Sequence, residues 1–312
     1  MPEDFAEEPS PRATLGGLAA LAIWSLSVAL MRGLSESIGM LTGPALASLL
    51  GGALALAFMR LRGESPSRML GLPRRYLWGC GSLFVLTNVS LYLAIGACVE
   101  RGQVLVVALV NYLWPVLTVA LSVPVLGRRA GKALPLGCLI AVAGTAAAML
   151  GGGEAAGSDP AFWLSPLGVF ALAMALVAAL SWGLYSNLAR LWGSPEQGAV
   201  QLFVLATALG LGVMRLLRPE ASHWTLKGVL ELCALGAASL MAAYALWDWG
   251  MRRGEHALLS VCSYFVPVAS TAVSSVYLGV RPGAHVLVGC VLVAAGAIVS
   301  RWSLRQPKPP RS

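Results

Sequence analysis

Ten runs of apolar residues, each close to the length of a membrane crossing, follow one another along the 312-residue chain and are separated by short polar connections. They fall at 14–31, 41–58, 77–98, 103–126, 133–151, 163–189, 198–217, 227–248, 255–280 and 283–302. An α-helix rises 1.5 Å per residue, so about twenty residues cross the roughly 30 Å hydrocarbon core of a bilayer. The runs are continuous rather than alternating, which argues against a transmembrane β-barrel. The pattern predicts an all-α membrane protein of ten transmembrane helices.

The pattern also repeats. A shift of 152 residues places Asn111-Tyr112-Leu113-Trp114-Pro115-Val116 on Ser263-Tyr264-Phe265-Val266-Pro267-Val268, Leu126-Gly127 on Leu278-Gly279, and Gly137-Cys138 on Gly289-Cys290. The same shift sets Gly144 on Gly296 and Tyr92 on Tyr244, and a shift of 158 sets Trp24 on Trp182 in the first helix. Matched prolines, tryptophans and Gly-Cys steps in one ungapped register mark an internal duplication. The first five-helix repeat occupies 14–151 and the second 163–302, joined by a Gly-rich acidic linker at 152–162. Residues 1–13 read as an acidic, disordered tail and 303–312 as a basic one. Five is odd, so the second repeat enters the membrane from the opposite side. Such inverted repeats are the mark of secondary transporters, with a site near the midplane between the halves.

Composition sharpens this picture. Hydrophobic residues make up 57% of the chain and charged ones 12%, against about a quarter charged in a soluble protein. The net charge of +8 resides in short clusters between apolar runs, which is a topology signal rather than a nucleic-acid footprint. Of the 22 Lys and Arg residues, 16 fall on the side of the membrane that holds both termini. Both termini are therefore expected in the cytoplasm of a bacterial-type inner membrane. The first run lacks a basic leader segment, so a cleaved signal peptide is not expected. The cysteines form no Cys-x-x-Cys pair, and His223, His256 and His285 are scattered at the edges of runs. No metal, cofactor or enzymatic motif is expected.

Polar residues are shared unevenly among the runs. A lipid-facing helix can be wholly apolar, whereas one that lines a path must supply polar groups. The second, fifth, seventh and tenth runs offer few. The first contributes Trp24, the third Ser82, Asn88 and Tyr92, and the fourth Asn111 and Tyr112. Their counterparts contribute Trp182 and Tyr185, then Tyr244 and Trp247, then Ser263 and Tyr264. These six helices are expected to line a central cavity, with the other four outside. Pro115 and Pro267 lie mid-run, each on the polar face of its helix. A proline gives no N–H and pushes away the carbonyl four residues back, here that of Asn111 or Ser263. Two kinked helices would then offer acceptors to an ammonium group at midplane. Tight packing by small residues accounts for the same faces. Tyr92 and Tyr244 flank the midplane as a pair of gates or as packing aromatics, and Trp24 and Trp182 suit packing as well as ligand stacking. Central turns of nine of the ten runs hold no charge, and Glu231 stands near the outer end of the eighth.

Trp24-Ser25, Arg32-Gly33-Leu34-Ser35-Glu36, the Asn111-to-Pro115 block and Ser263-Tyr264-Phe265 with Pro267-Val268 resemble the drug/metabolite transporter superfamily. Within its EamA-like branch they are most similar to the YddG-type aromatic amino-acid exporters. The resemblance covers 14–302 and departs where many EamA-like proteins place Glu after the Leu-Gly pairs, since Arg128 and Val280 stand there. It implies a small-molecule transporter of aromatic and other neutral amino acids, working by alternating access as an exporter. The scarcity of buried charge favours facilitated diffusion. A proton-coupled drug or metabolite exporter and an uncoupled channel remain the alternatives. Besides substrate and lipid bilayer no partner is called for, and a monomer is compatible with the pattern.

Overall fold

The computed structural model describes residues 10–150, 160–194 and 198–303, apart from the side chains of residues 160, 252, 256, 257 and 260. The two tails (1–9 and 304–312) and residues 152–159 of the expected linker lie outside the described residues. The described part is helical: α1 Pro11–Ser37, α2 Thr42–Leu61, α3 Gly81–Gly96, α4 Arg101–Asn111, α5 Trp114–Leu126, α6 Ala133–Leu150, α7 Pro166–Trp192, α8 Val200–Leu217, α9 Leu226–Cys233, α10 Ala243–Arg253, α11 His256–Ser263, α12 Val266–Leu278 and α13 Ala284–Trp302. Among the described residues, nine helical stretches are long and apolar enough to cross a membrane. A tenth crossing is made by α11 and α12 together.

Local chemistry fixes the ends. Ser10 caps α1 by accepting from the Ala13 N–H, and Pro11 sits in the first turn, where its missing N–H costs nothing. Residues 11–13 thus belong to α1 rather than to the expected tail. The helix also runs on to Ser37 instead of stopping at 31, and so carries Arg32 and Glu36. The end of α2 beside Thr42 is capped from far along the chain. Glu220 accepts from the Leu41 N–H at 3.0 Å, and from the Thr42 N–H and hydroxyl at 2.6 and 2.8 Å.

At the expected kinks the regular α-helix is interrupted for two residues, while hydrogen bonds such as Tyr112 N–H to the Ala108 carbonyl at 2.9 Å carry the chain across. α4 ends at Asn111, and after two residues α5 begins at Trp114 with Pro115 in its first turn. α11 ends at Ser263, and after two residues α12 begins at Val266 with Pro267 in its first turn. A proline that would disrupt a helix interior is well placed at the start of a new helix, so the chain stops one helix and starts another. α5 and α12 are both 13 residues long and close on left-handed glycines, Gly127 at φ 63° and Gly279 at φ 67°. A side chain there would cost about 1 kcal/mol. The duplication is therefore carried by backbone geometry as well as by sequence.

The fifth and tenth crossings, α6 and α13, pack directly on each other. A Cβ on Gly144 would lie 2.8 Å from the Gly289 carbonyl oxygen, and one on Gly289 would lie 2.7 Å from that of Gly144. Gly137 and Gly296 meet in the same way, so the two backbones touch along glycine faces. At the other flank α2 lies on α8, where Gly52 takes the Leu205 side chain. α6 and α8 are the least buried crossings, and 101–126 is the most buried.

Candidate functional site

Two of the middle crossings contain π-helical turns, Arg75–Cys80 ahead of α3 and Ala234–Ala242 between α9 and α10. Such turns widen a helix and release backbone acceptors. One is used at once: the Trp24 indole N–H of α1 donates to the Ser239 carbonyl at 3.3 Å, and the Ser27 hydroxyl donates to that of Ser239 at 3.0 Å. α1 is thereby held against the π segment of the other repeat.

Around this junction aromatic rings fill the space between the repeats. Trp24 meets Tyr244 edge-on at 5.2 Å and Trp247 at 5.6 Å. Tyr244 meets Phe84 at 5.6 Å, and Phe84 meets Tyr185 at 5.6 Å and Trp182 at 6.2 Å. Trp182 lies on Tyr185 at 5.2 Å and reaches Trp114, beside the first helix break, at 6.2 Å. Phe203 and Tyr76 extend the group towards the end of the bundle that carries the termini. Tilted and edge-on contacts at these distances are the favoured aromatic geometries.

Of the residues singled out in the sequence, Trp24, Trp182, Tyr185, Tyr244 and Trp247 fall in this one cluster. Asn88 lies beside the Tyr244 hydroxyl and donates to its own Phe84 carbonyl at 2.9 Å. Asn111, Tyr112 and Pro115 are buried at the first break, and Ser263, Tyr264 and Pro267 at the second. Tyr112 lies against Ser270 of α12. The Ser270 and Ser274 hydroxyls are buried and have no hydrogen-bond partner among the described residues. Tyr92 is buried, but no ring contact joins it to Trp182. That pair is the repeat counterpart of Tyr244 and Trp24, so the two halves differ here. Ser82 does not belong to the group. It lies two residues from Phe84, on the opposite side of α3, is exposed, and donates to the Trp78 carbonyl at 2.6 Å.

Phe84 is the hub of the cluster, and the sequence hides it because a single apolar ring among the polar positions of α3 carries no signal of its own. Phe203 was missed for a further reason: it comes from α8, which was expected to stand wholly outside. Among the described residues no three His, Cys, Asp or Glu side chains gather as a metal site would require. At the far end of the bundle from the termini, Arg32 and Arg101 share Glu36, at 2.8 and 2.7 Å. Arg32 also donates to the Cys98 and Val99 carbonyls, at 2.5 and 3.0 Å, and Arg101 to the Leu278 carbonyl of α12 at 3.0 Å. This network ties α1, α3 and α4 to the second repeat.

Comparison with known proteins agrees with this architecture. Residues 12–150 and 169–302 each match the EamA-like transporter family. The aromatic amino acid exporter YddG of Salmonella typhimurium (strain 14028s / SGSC 2262) is 31% identical over 299 residues, which covers 95% of this chain and 99% of the relative. The protein of the same description from Escherichia coli (strain K12) is 31% identical over 301 residues, 95% and 98% of the two chains. That from Ancylobacter novellus is 30% identical over 299 residues, 94% and 98%. A solved crystal structure 31% identical in sequence superposes with a TM-score of 0.65, over 93% of this chain and 96% of its own.

Proposed function

Because this chain belongs to the EamA-like transporter family, we propose that it carries aromatic and other neutral amino acids across a bacterial-type inner membrane, as an exporter. It is a multi-pass membrane protein, and both termini face the cytoplasm in this reading. The repeats run in opposite directions through the bilayer, and transport proceeds by alternating access between them. The observation that carries the reading is the ring cluster, built from α1, α3, α5, α7, α8 and α10 where the repeats meet. Rings arranged for edge-on contact accept another ring in the same geometry. An aromatic side chain would enter the cluster while its backbone groups meet the acceptors at the helix breaks. Asn111 offers a side-chain amide there, and Pro115 has no N–H to give the Asn111 carbonyl.

The unequal halves support alternation. Trp24 closes on Tyr244 while its repeat counterpart Trp182 stays off Tyr92. Two inverted repeats in different conformations make a path open to one side, and exchanging those conformations opens it to the other. Few ionisable groups lie deep in the crossings, with Asp248 near Tyr76 at the edge of the cluster, and on this reading the substrate moves down its own gradient. Purified protein in liposomes tests this. Counterflow of labelled phenylalanine, tyrosine and tryptophan is expected, without accumulation driven by a pH gradient. Counterflow of quaternary amines or sugars in their place would overturn the substrate class. Accumulation driven by protons would overturn the facilitator.

A further inference from the structure

Glu231 stands one turn into α9, five residues from the start of its crossing, and its side chain is only 3% exposed. Its Oε1 accepts from the Tyr277 hydroxyl of α12 at 2.6 Å and faces the Lys227 ammonium at 3.6 Å. Its Oε2 is buried and has no hydrogen-bond partner among the described residues. The carboxylate occupies the space left by the missing side chain of Gly33 on α1, where a Cβ would run into it. A buried carboxylate oxygen without a donor is costly, so its retention at this seam calls for a ligand that supplies one.

Resting on the transport reading above, we propose that Glu231 is a binding group for the substrate's ammonium at the end of the bundle away from the termini. The chemistry selects an ammonium. A divalent ion needs several oxygens around it, and here a single carboxylate is flanked by a hydroxyl that donates to it. A primary ammonium brings three donors and one positive charge, which matches one unfilled carboxylate oxygen. Lys227, 63% exposed at the rim, already presents a primary ammonium to Oε1 from outside. The position suits alternation too. Glu231 and Tyr277 belong to the second repeat and Gly33 to the first, so parting the repeats at this end draws α1 away and bares Oε2 towards the path. The subsite would take the ammonium as the amino acid leaves the rings, with Tyr277 keeping the carboxylate in place.

Glu231→Gln tests this, since the amide oxygen still accepts from Tyr277 while the charge is lost. Phenylalanine counterflow by wild type and variant is measured with 3-phenylpropionate and phenethylamine as competitors. Wild type should favour the ammonium-bearing competitor over the carboxylate-only one. In the variant that preference should fall by roughly tenfold or more, the size of one charge-assisted hydrogen bond. A ratio of inhibition constants is independent of the folded fraction, and Glu231→Asp, which keeps the charge on a shorter arm, should restore part of the preference. Wild-type counterflow with an unchanged ratio in the variant would overturn this inference alone. Loss confined to pH-gradient-driven uptake would overturn it in favour of a proton-carrying carboxylate. Wild type without amino-acid counterflow would overturn the transport reading, and this inference with it.

Discussion

Arg32 and Arg101 share one carboxylate yet differ in what they contribute. Arg32 is 8% exposed and spends its guanidinium on Glu36, on the Ile95 carbonyl in the last turn of α3 and on the Cys98 and Val99 carbonyls just beyond it, where a cation also meets the negative end of the helix. Arg101 is 44% exposed and grips Glu36 from the surface. Removing the first leaves buried carbonyls without donors, whereas an exposed pair is worth little. Arg32→Ala is expected to cost about 2–4 kcal/mol of stability and Arg101→Ala under about 1 kcal/mol, read by equilibrium unfolding in one detergent. Asn111 belongs to the same scale. If its amide serves the substrate, Asn111→Ala should unfold near the wild-type temperature and lose roughly tenfold in amino-acid counterflow. Unchanged flux with a lowered unfolding temperature would make it a packing residue.

For helices, the prolines set the expectation. Pro115→Ala gives back the N–H that could join α4 to α5. The variant is expected to be at least as stable as wild type and slower in transport, measured as unfolding temperature and counterflow rate on one preparation. A faster variant would show the break to be incidental. Helix number and most helix ends were legible in the sequence, because the apolar runs and the proline and glycine signals are local. The prolines read as kinks, and spacing alone could not tell that each would begin a new α-helical segment after a two-residue interruption. The π-helical turn at Ala234–Ala242 left no signal, as Ala, Gly and Leu fit either winding. Arg32 read as a loop residue because a charge at the end of an apolar run normally marks the water boundary, and its partners are distant carbonyls. The burial of Glu231 was hidden for a similar reason: it depends on Gly33 and Tyr277, nearly two hundred residues away and on the next crossing.

At the scale of the molecule, the duplication and the charge bias underlie the proposed topology. Cysteines placed one at a time at 152–161 and at 60–75 should be labelled from outside the cell at the first set and spared at the second. The reverse pattern would turn the whole arrangement over, including the side on which Glu231 stands. The joint between α6 and α13 has a further consequence. It is formed by glycine faces, one from each repeat. A gene cut within 152–159 would yield two polypeptides, each bearing half of that joint. Co-expressed, they are expected to co-purify through an affinity tag on one piece alone. Gly144→Leu in the first piece or Gly289→Leu in the second, either of which forces the backbones apart at a cost of about 1–3 kcal/mol, should lower the recovery of the partner piece. The molecule would then be a heterodimer written as one chain.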